Sequence, residues 1–201
     1  MEPAAVVAGW VSLAGVATTI VSLVALHIVP TGLSPRRNAV SQYGISRFRG
    51  GYRVATIALG VAGGALAVAS ASRLSGNASA QVTFLLGVFA VARLIISWFP
   101  MDVPGGERTT HGRLHGLIAI VTFVVVAAAA LRLGALLGRQ TSWPGLAPIS
   151  FALGGLMVAC LIGMASARSS TAARSWFGAI ERVFYVGMIA WITVFAVACL
   201  R

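Results

Sequence analysis

The chain contains no lysine: all 15 basic residues are arginine, and only four acids, Glu2, Asp102, Glu107 and Glu181, oppose them. Charge of either sign is scarce, at 9% of 201 residues against 58% apolar. Soluble domains do not have this profile, because too few polar side chains remain to cover a surface. Cysteine is equally sparse. Cys160 and Cys199 lie inside apolar runs, show no metal-ligand spacing, and read as small packing residues. A net charge of +11 in a soluble protein would suggest nucleic acid. Here the arginines stand at the ends of apolar runs, where anionic lipid and the positive-inside effect account for them. No nucleic-acid partner is expected, and membrane lipid is.

What is present is hydrocarbon. Mean hydropathy is +0.91, and about 20 mostly apolar residues are enough for a helix to cross a bilayer. Six segments qualify, at 5–29, 53–73, 80–99, 114–137, 146–167 and 177–200. They predict an all-α polytopic membrane protein, a six-transmembrane-helix bundle forming one domain over residues 1–201. Pro30 and Pro100 close the first and third segments, and Trp143-Pro144 with Pro148 introduce the fifth. Arg132, near the end of the fourth, can snorkel to the interface. The first segment has no basic leader and is too long for a signal peptide, so it reads as a retained span. Gly60 with Gly64, and Gly154, Gly155 and Gly163, provide small faces where helices can approach closely.

Six crossings place both termini on one side and the connections 30–52, 100–113 and 168–176 on the other. The second side carries Arg36, Arg37, Arg47, Arg49, Arg53, Arg108, Arg113, Arg168, Arg174 and Arg182. The terminal side carries Arg73, Arg132, Arg139 and Arg201. This bias predicts a multi-pass protein of the cell membrane with cytoplasmic polar loops and both termini outside.

Three polar patches interrupt the apolar pattern: LSPRRNAVSQYG at 33–44, FPMDVPGGERTTHGRLH at 99–115, and Glu181-Arg182. Ser34-Pro35 can cap a short interfacial helix. The patches are expected to meet in a one-sided pocket formed by Arg36, Arg37, Asn38, Ser41, Tyr43, Arg93 and Arg182. Arg93 lies about two turns inside the third span, where an unpaired charge costs a few kcal/mol or more. It should face the bundle and pair with Glu181 or Asp102. His111 and His115 are four residues apart, which on a helix puts both rings on one face. His27 falls at the same depth.

Three chemistries suit these residues. The first is binding of a lipid headgroup or small solute by a sensor, transporter or accessory subunit, with a partner membrane subunit or a second copy of the chain. Arg36, Arg37, Arg108 and Arg182 would then meet phosphate. The second is a zinc hydrolase acting on a lipid amide or ester. His111 and His115, with His27 or Asp102, would hold the metal, and Asp102 or Glu181 would shuttle the proton. Ser41, Asn38 or Tyr43 would stabilise the oxyanion. The third is a b-type haem held by His27 with one of the other two histidines, since axial ligands must approach from opposite faces.

At SPRRNAVSQYG, FPMD, THGRLHG and GAIERVFYVGMIAW, in that order, the chain resembles the bacterial integral-membrane proteins grouped as domain of unknown function 998. These are distantly linked to the Frag1/DRAM/Sfk1 type of six-helix proteins. The resemblance covers nearly the whole chain. It implies the fold and the membrane location, and supplies no reaction. Family members usually carry an acidic residue after the loop serine, where this chain has Gln42.

Overall fold

The computed structural model describes residues 2–138, 145–167, 169–170 and 174–201. Six long helices dominate it: α1 (Pro3–Ile28), α2 (Arg49–Arg73), α3 (Gly76–Ile95), α4 (Thr110–Leu137), α5 (Leu146–Ser166) and α6 (Phe177–Cys199). All six are long and apolar enough to cross a membrane, and no strand occurs among the described residues. A 3-10 helix at Val40–Ile45 lies in the first connection, and a 3-10 turn at Ile96–Trp98 ends α3. Each helix packs on its neighbours in the chain, and α6 returns to α1, which closes a ring.

The boundaries differ from the hydropathy segments in one direction. α2 begins at Arg49 and α4 at Thr110, each four residues before its apolar segment. The first turn of a spanning helix stands in water or headgroups and needs no apolar side chains there. Pro148 occupies the first turn of α5, where a missing amide hydrogen breaks no helix bond. Trp143, Pro144, Arg139 and Arg168 lie outside the described residues.

Inside the ring, Trp191, Phe195, Phe184, Phe89, Leu59 and Leu133 are fully buried. The outer face is just as apolar: Trp10, Val21, Phe84, Ile162 and Val186 are each more than 60% exposed. Both faces are greasy, as hydrocarbon surroundings require, so burial of apolar area discriminates little and close contact does the packing. The glycines show where. A Cβ on Gly15 would lie 2.6 Å from the Ala58 carbonyl oxygen and 3.1 Å from the Ala62 Cβ, so α1 meets α2 backbone to backbone. Gly60 rests on Leu94 and Ala90 of α3, Gly154 on Leu131 of α4, and Gly163 on Ile180 of α6. Gly155 faces open space.

The polar connections gather at one end. Arg182 of α6 reaches the first connection, Ser41 reaches Met101, and His115 reaches Phe99. At the other end Gly9 packs on Leu200, and Arg132 bonds Gln81.

Gly15→Val should lower the thermal midpoint in detergent, at a cost of about 1–3 kcal/mol from overpacking. Gly155→Ala should leave it unchanged. Equal midpoints for the two variants would show that α1 and α2 can separate freely.

Candidate functional site

The first polar connection is held chiefly by one side chain. The Arg182 guanidinium donates to the carbonyl oxygens of Pro35 (2.7 Å), Asn38 (2.9 Å) and Gly178 (2.9 Å). It also donates to His27 Nε2 at 2.8 Å and to the Tyr43 hydroxyl at 3.3 Å. A guanidinium has five N–H groups, and this pattern leaves it little for a ligand. Gly178 lets the connection lie against α6: a Cβ there would stand 2.5 Å from the Asn38 carbonyl oxygen. The Ala179 amide donates to the Arg36 carbonyl, and the Val40 amide donates to Glu181 Oε2 at 2.7 Å. Residues 35–37 form a turn, not the interfacial helix that Ser34-Pro35 suggested. The helical part starts at Val40, and Ser34 donates its amide to Asn38 Oδ1.

Asp102 is likewise structural. Its Oδ1 accepts the hydroxyl of Thr109 at 2.7 Å and the amide of Thr109 at 3.1 Å. Thr109 caps α4 by accepting the Gly112 amide at 3.0 Å. The carboxylate fills the space where a Cβ of Gly112 would be. FPMD and TTHG are therefore two halves of one helix cap, with the negative charge at the helix N-terminus where the macrodipole favours it. Bonding from the Thr109 hydroxyl, chiefly, holds the Asp102 carboxyl below the usual carboxylate range.

Arg93 is 2% exposed, but neither Glu181 nor Asp102 pairs with it. It donates to the Tyr185 hydroxyl at 3.0 Å and lies 5.4 Å from the centroid of that ring. Tyr185 follows Glu181 by one turn on the same face of α6 and reaches Arg93 first. Glu181 remains within electrostatic reach. The expected ion pair is thus replaced by a cation on a phenol, with the carboxyl acting at longer range.

A cavity of about 910 Å³ lies between α4, α5 and the start of α6. Ala119, Ile120, Phe123 and Val124 of α4 face Leu161 and Met164 of α5 across it. Its polar end is made by Arg37, Asn38, Ser41 and Gln42, with His115, Glu181 and Arg174. Ile120 and Val124 are 44% and 48% exposed, so the cavity opens sideways onto the outer apolar face of the bundle. α4 and α5 touch closely toward the other end, where Gly134 meets Phe151 and Gly154 meets Leu131, and diverge here.

Of the sequence-predicted pocket residues, Arg37, Asn38 and Ser41 border this cavity, and Arg36, Tyr43, Arg93 and Arg182 do not. Arg36 lies over the Trp176 ring at 4.9 Å, and Tyr43 is buried with its ring edge on His27. The three histidines read as a metal set do not come together with acids or cysteines as one ligand group among the described residues. Both nitrogens of His27 are engaged, by Arg182 and by the Leu23 carbonyl at 2.6 Å. His111 is exposed beside Phe99, while His115 is buried in the bundle. No three His, Cys, Asp or Glu side chains converge as metal ligands among the described residues. His27 has no free nitrogen for haem either. Gln42, Arg174 and Tyr185 were missed. The i, i+4 spacing of Glu181 and Tyr185 was the available signal for the last.

Two outcomes test this architecture. Arg182→Leu strips four hydrogen bonds from the 27–43 region and should destabilise the protein by roughly 2–4 kcal/mol. Cleavage by protease within 33–44 should accelerate with it, and unchanged cleavage would mean that the loop holds itself. The folded pKa of Asp102 lies below the ordinary value, so its cap is fully formed at neutral pH and is lost as pH falls through that folded value. Amide protection at 109–113 should fall on acidification, and Asp102→Asn should reduce it already at neutral pH. Constant protection would remove the carboxylate from the cap.

No curated protein and no solved structure matches the chain. The family model described as "Protein of unknown function (DUF998)" matches residues 13–198, which include the loop clamped by Arg182, the Asp102 cap and the cavity walls. The chain belongs to the DUF998 family.

Proposed function

We propose that this membrane protein binds an amphiphile, with its apolar chain between α4 and α5 and its polar head under the first connection. The observation that carries this reading is the cavity of about 910 Å³ itself, apolar along its walls, polar at one end and open toward the bilayer side. Pockets of 300–1,000 Å³ are of ligand size. Lateral opening lets a lipid enter without leaving hydrocarbon, so the chain pays no hydration penalty on the way in.

The head is received by Arg37, Asn38, Ser41 and Gln42. Asn38 and Ser41 are already oriented by protein bonds, Asn38 to Gln42 and Ser41 to Met101. This preorganisation reduces the entropy lost on binding. Arg37 makes no side-chain hydrogen bond or ion pair with the described residues and supplies a free guanidinium at the mouth. The arginine excess on the polar connections supports placing this end in the cytoplasm of a cell, with both termini outside. A sensor, a transporter or an accessory subunit would each use such a site. Partner subunits, or a second copy of the chain, would dock on the outer apolar face.

Ala119→Trp fills the cavity from α4 without touching the Arg182 clamp. Lipid extracted from detergent-purified wild type and quantified by mass spectrometry should include at least one amphiphile that falls several-fold in this variant. An identical lipid profile in a variant with unaltered melting would remove the binding proposal.

A further inference from the structure

Two buried polar side chains border the cavity, His115 at 5% and Glu181 at 4% exposure. His115 Nδ1 lies 2.7 Å from the Phe99 carbonyl oxygen, which can only accept, so Nδ1 carries the ring hydrogen. In the neutral ring Nε2 is then a bare acceptor, and no donor meets it among the described residues. Glu181 takes the Val40 amide on one oxygen and keeps acceptor capacity on its carboxyl. On this wall His115 Nε2 therefore lacks a donor among the described residues. A buried acceptor left without one is destabilising, and native proteins seldom keep it so.

We infer, resting on the amphiphile reading above, that the ligand is a lipid alcohol: its head carries an uncharged hydroxyl that donates to His115 Nε2. An ammonium head would also donate, but Arg37 and Arg174 stand at the mouth, Arg93 is within electrostatic reach of His115, and Glu181, the acid on the wall, already faces Arg182 and Arg93. Like charges at such range repel in a low-dielectric interior. An ester or ether head offers no donor and leaves Nε2 bare. Mono- and diacylglycerols fit the class.

The test uses the full chain in nanodiscs and three probes: monooleoylglycerol, its di-O-methyl ether, and oleylamine, with binding read by native mass spectrometry. In wild type the alcohol should bind about five-fold more tightly than the ether, the weight of one neutral hydrogen bond. It should also bind more tightly than the amine. His115→Phe keeps a flat ring and removes the acceptor, so alcohol and ether should become equal. Equal binding of alcohol and ether by wild type overturns the inference and indicates that water alone answers Nε2. Tighter binding of oleylamine overturns it too, as does an undiminished gap in folded His115→Phe. Should that variant fail to fold, the wild-type comparison decides alone. Ala119→Trp separates the two levels: loss of all three probes upholds the cavity whatever the headgroup result. If no probe binds wild type, the amphiphile reading falls and this inference goes with it.

Discussion

Irregular backbone at the edge of a bilayer must find hydrogen-bond partners within the protein, because hydrocarbon offers none. Arg182 meets that constraint for the first connection. Its guanidinium ties two loop carbonyls, a helix carbonyl, a histidine and a tyrosine to α6. Everything at the polar end is arranged around the loop so fixed. Val40 is brought to Glu181, Asn38 and Ser41 are set over the cavity, and Tyr43 is turned inward to the bundle. Gly178 is the geometric condition, since any side chain there would push the loop off the helix.

The second connection follows the same rule with a different device. Asp102 and Thr109 together satisfy the start of α4, and the missing side chain of Gly112 leaves room for the carboxylate. The residues that look most like an active site in this chain are therefore largely occupied in holding it together. A helix cap, a loop clamp and a buried cation on a tyrosine account for Asp102, Arg182, His27 and Arg93. Arg37, Asn38, Ser41, His115 and Glu181 remain at the cavity between α4 and α5. The site is smaller than the set of polar residues, and it is more apolar.

The sequence motifs gain a physical meaning from this. SPRRNAVSQYG is the strap over α6, FPMD and TTHG are the two sides of one cap, and GAIER supplies the seat and the clamp. Their order along the chain reflects which loops meet at the polar end. Gln42 accepts from the Asn38 amide and so completes the strap.

The six spans were legible because hydrocarbon imposes a length and composition that each helix must meet alone, without reference to its neighbours. The gathering of three polar patches at one end followed from counting crossings. Partners were a different matter. His111 and His115 share a helix face by spacing, yet one is exposed and the other buried, because a helix face is wider than the groove it packs into. Arg93 needed an electron-rich partner, and its charge alone could not show that a phenol one turn from the carboxyl would arrive first. Sequence by itself determined the class, the number of spans and the end at which polarity collects, since these depend on local composition. Only the tertiary structure decided which polar atoms were already satisfied and where α4 and α5 part to leave a cavity. Both depend on distances between helices that no single segment encodes.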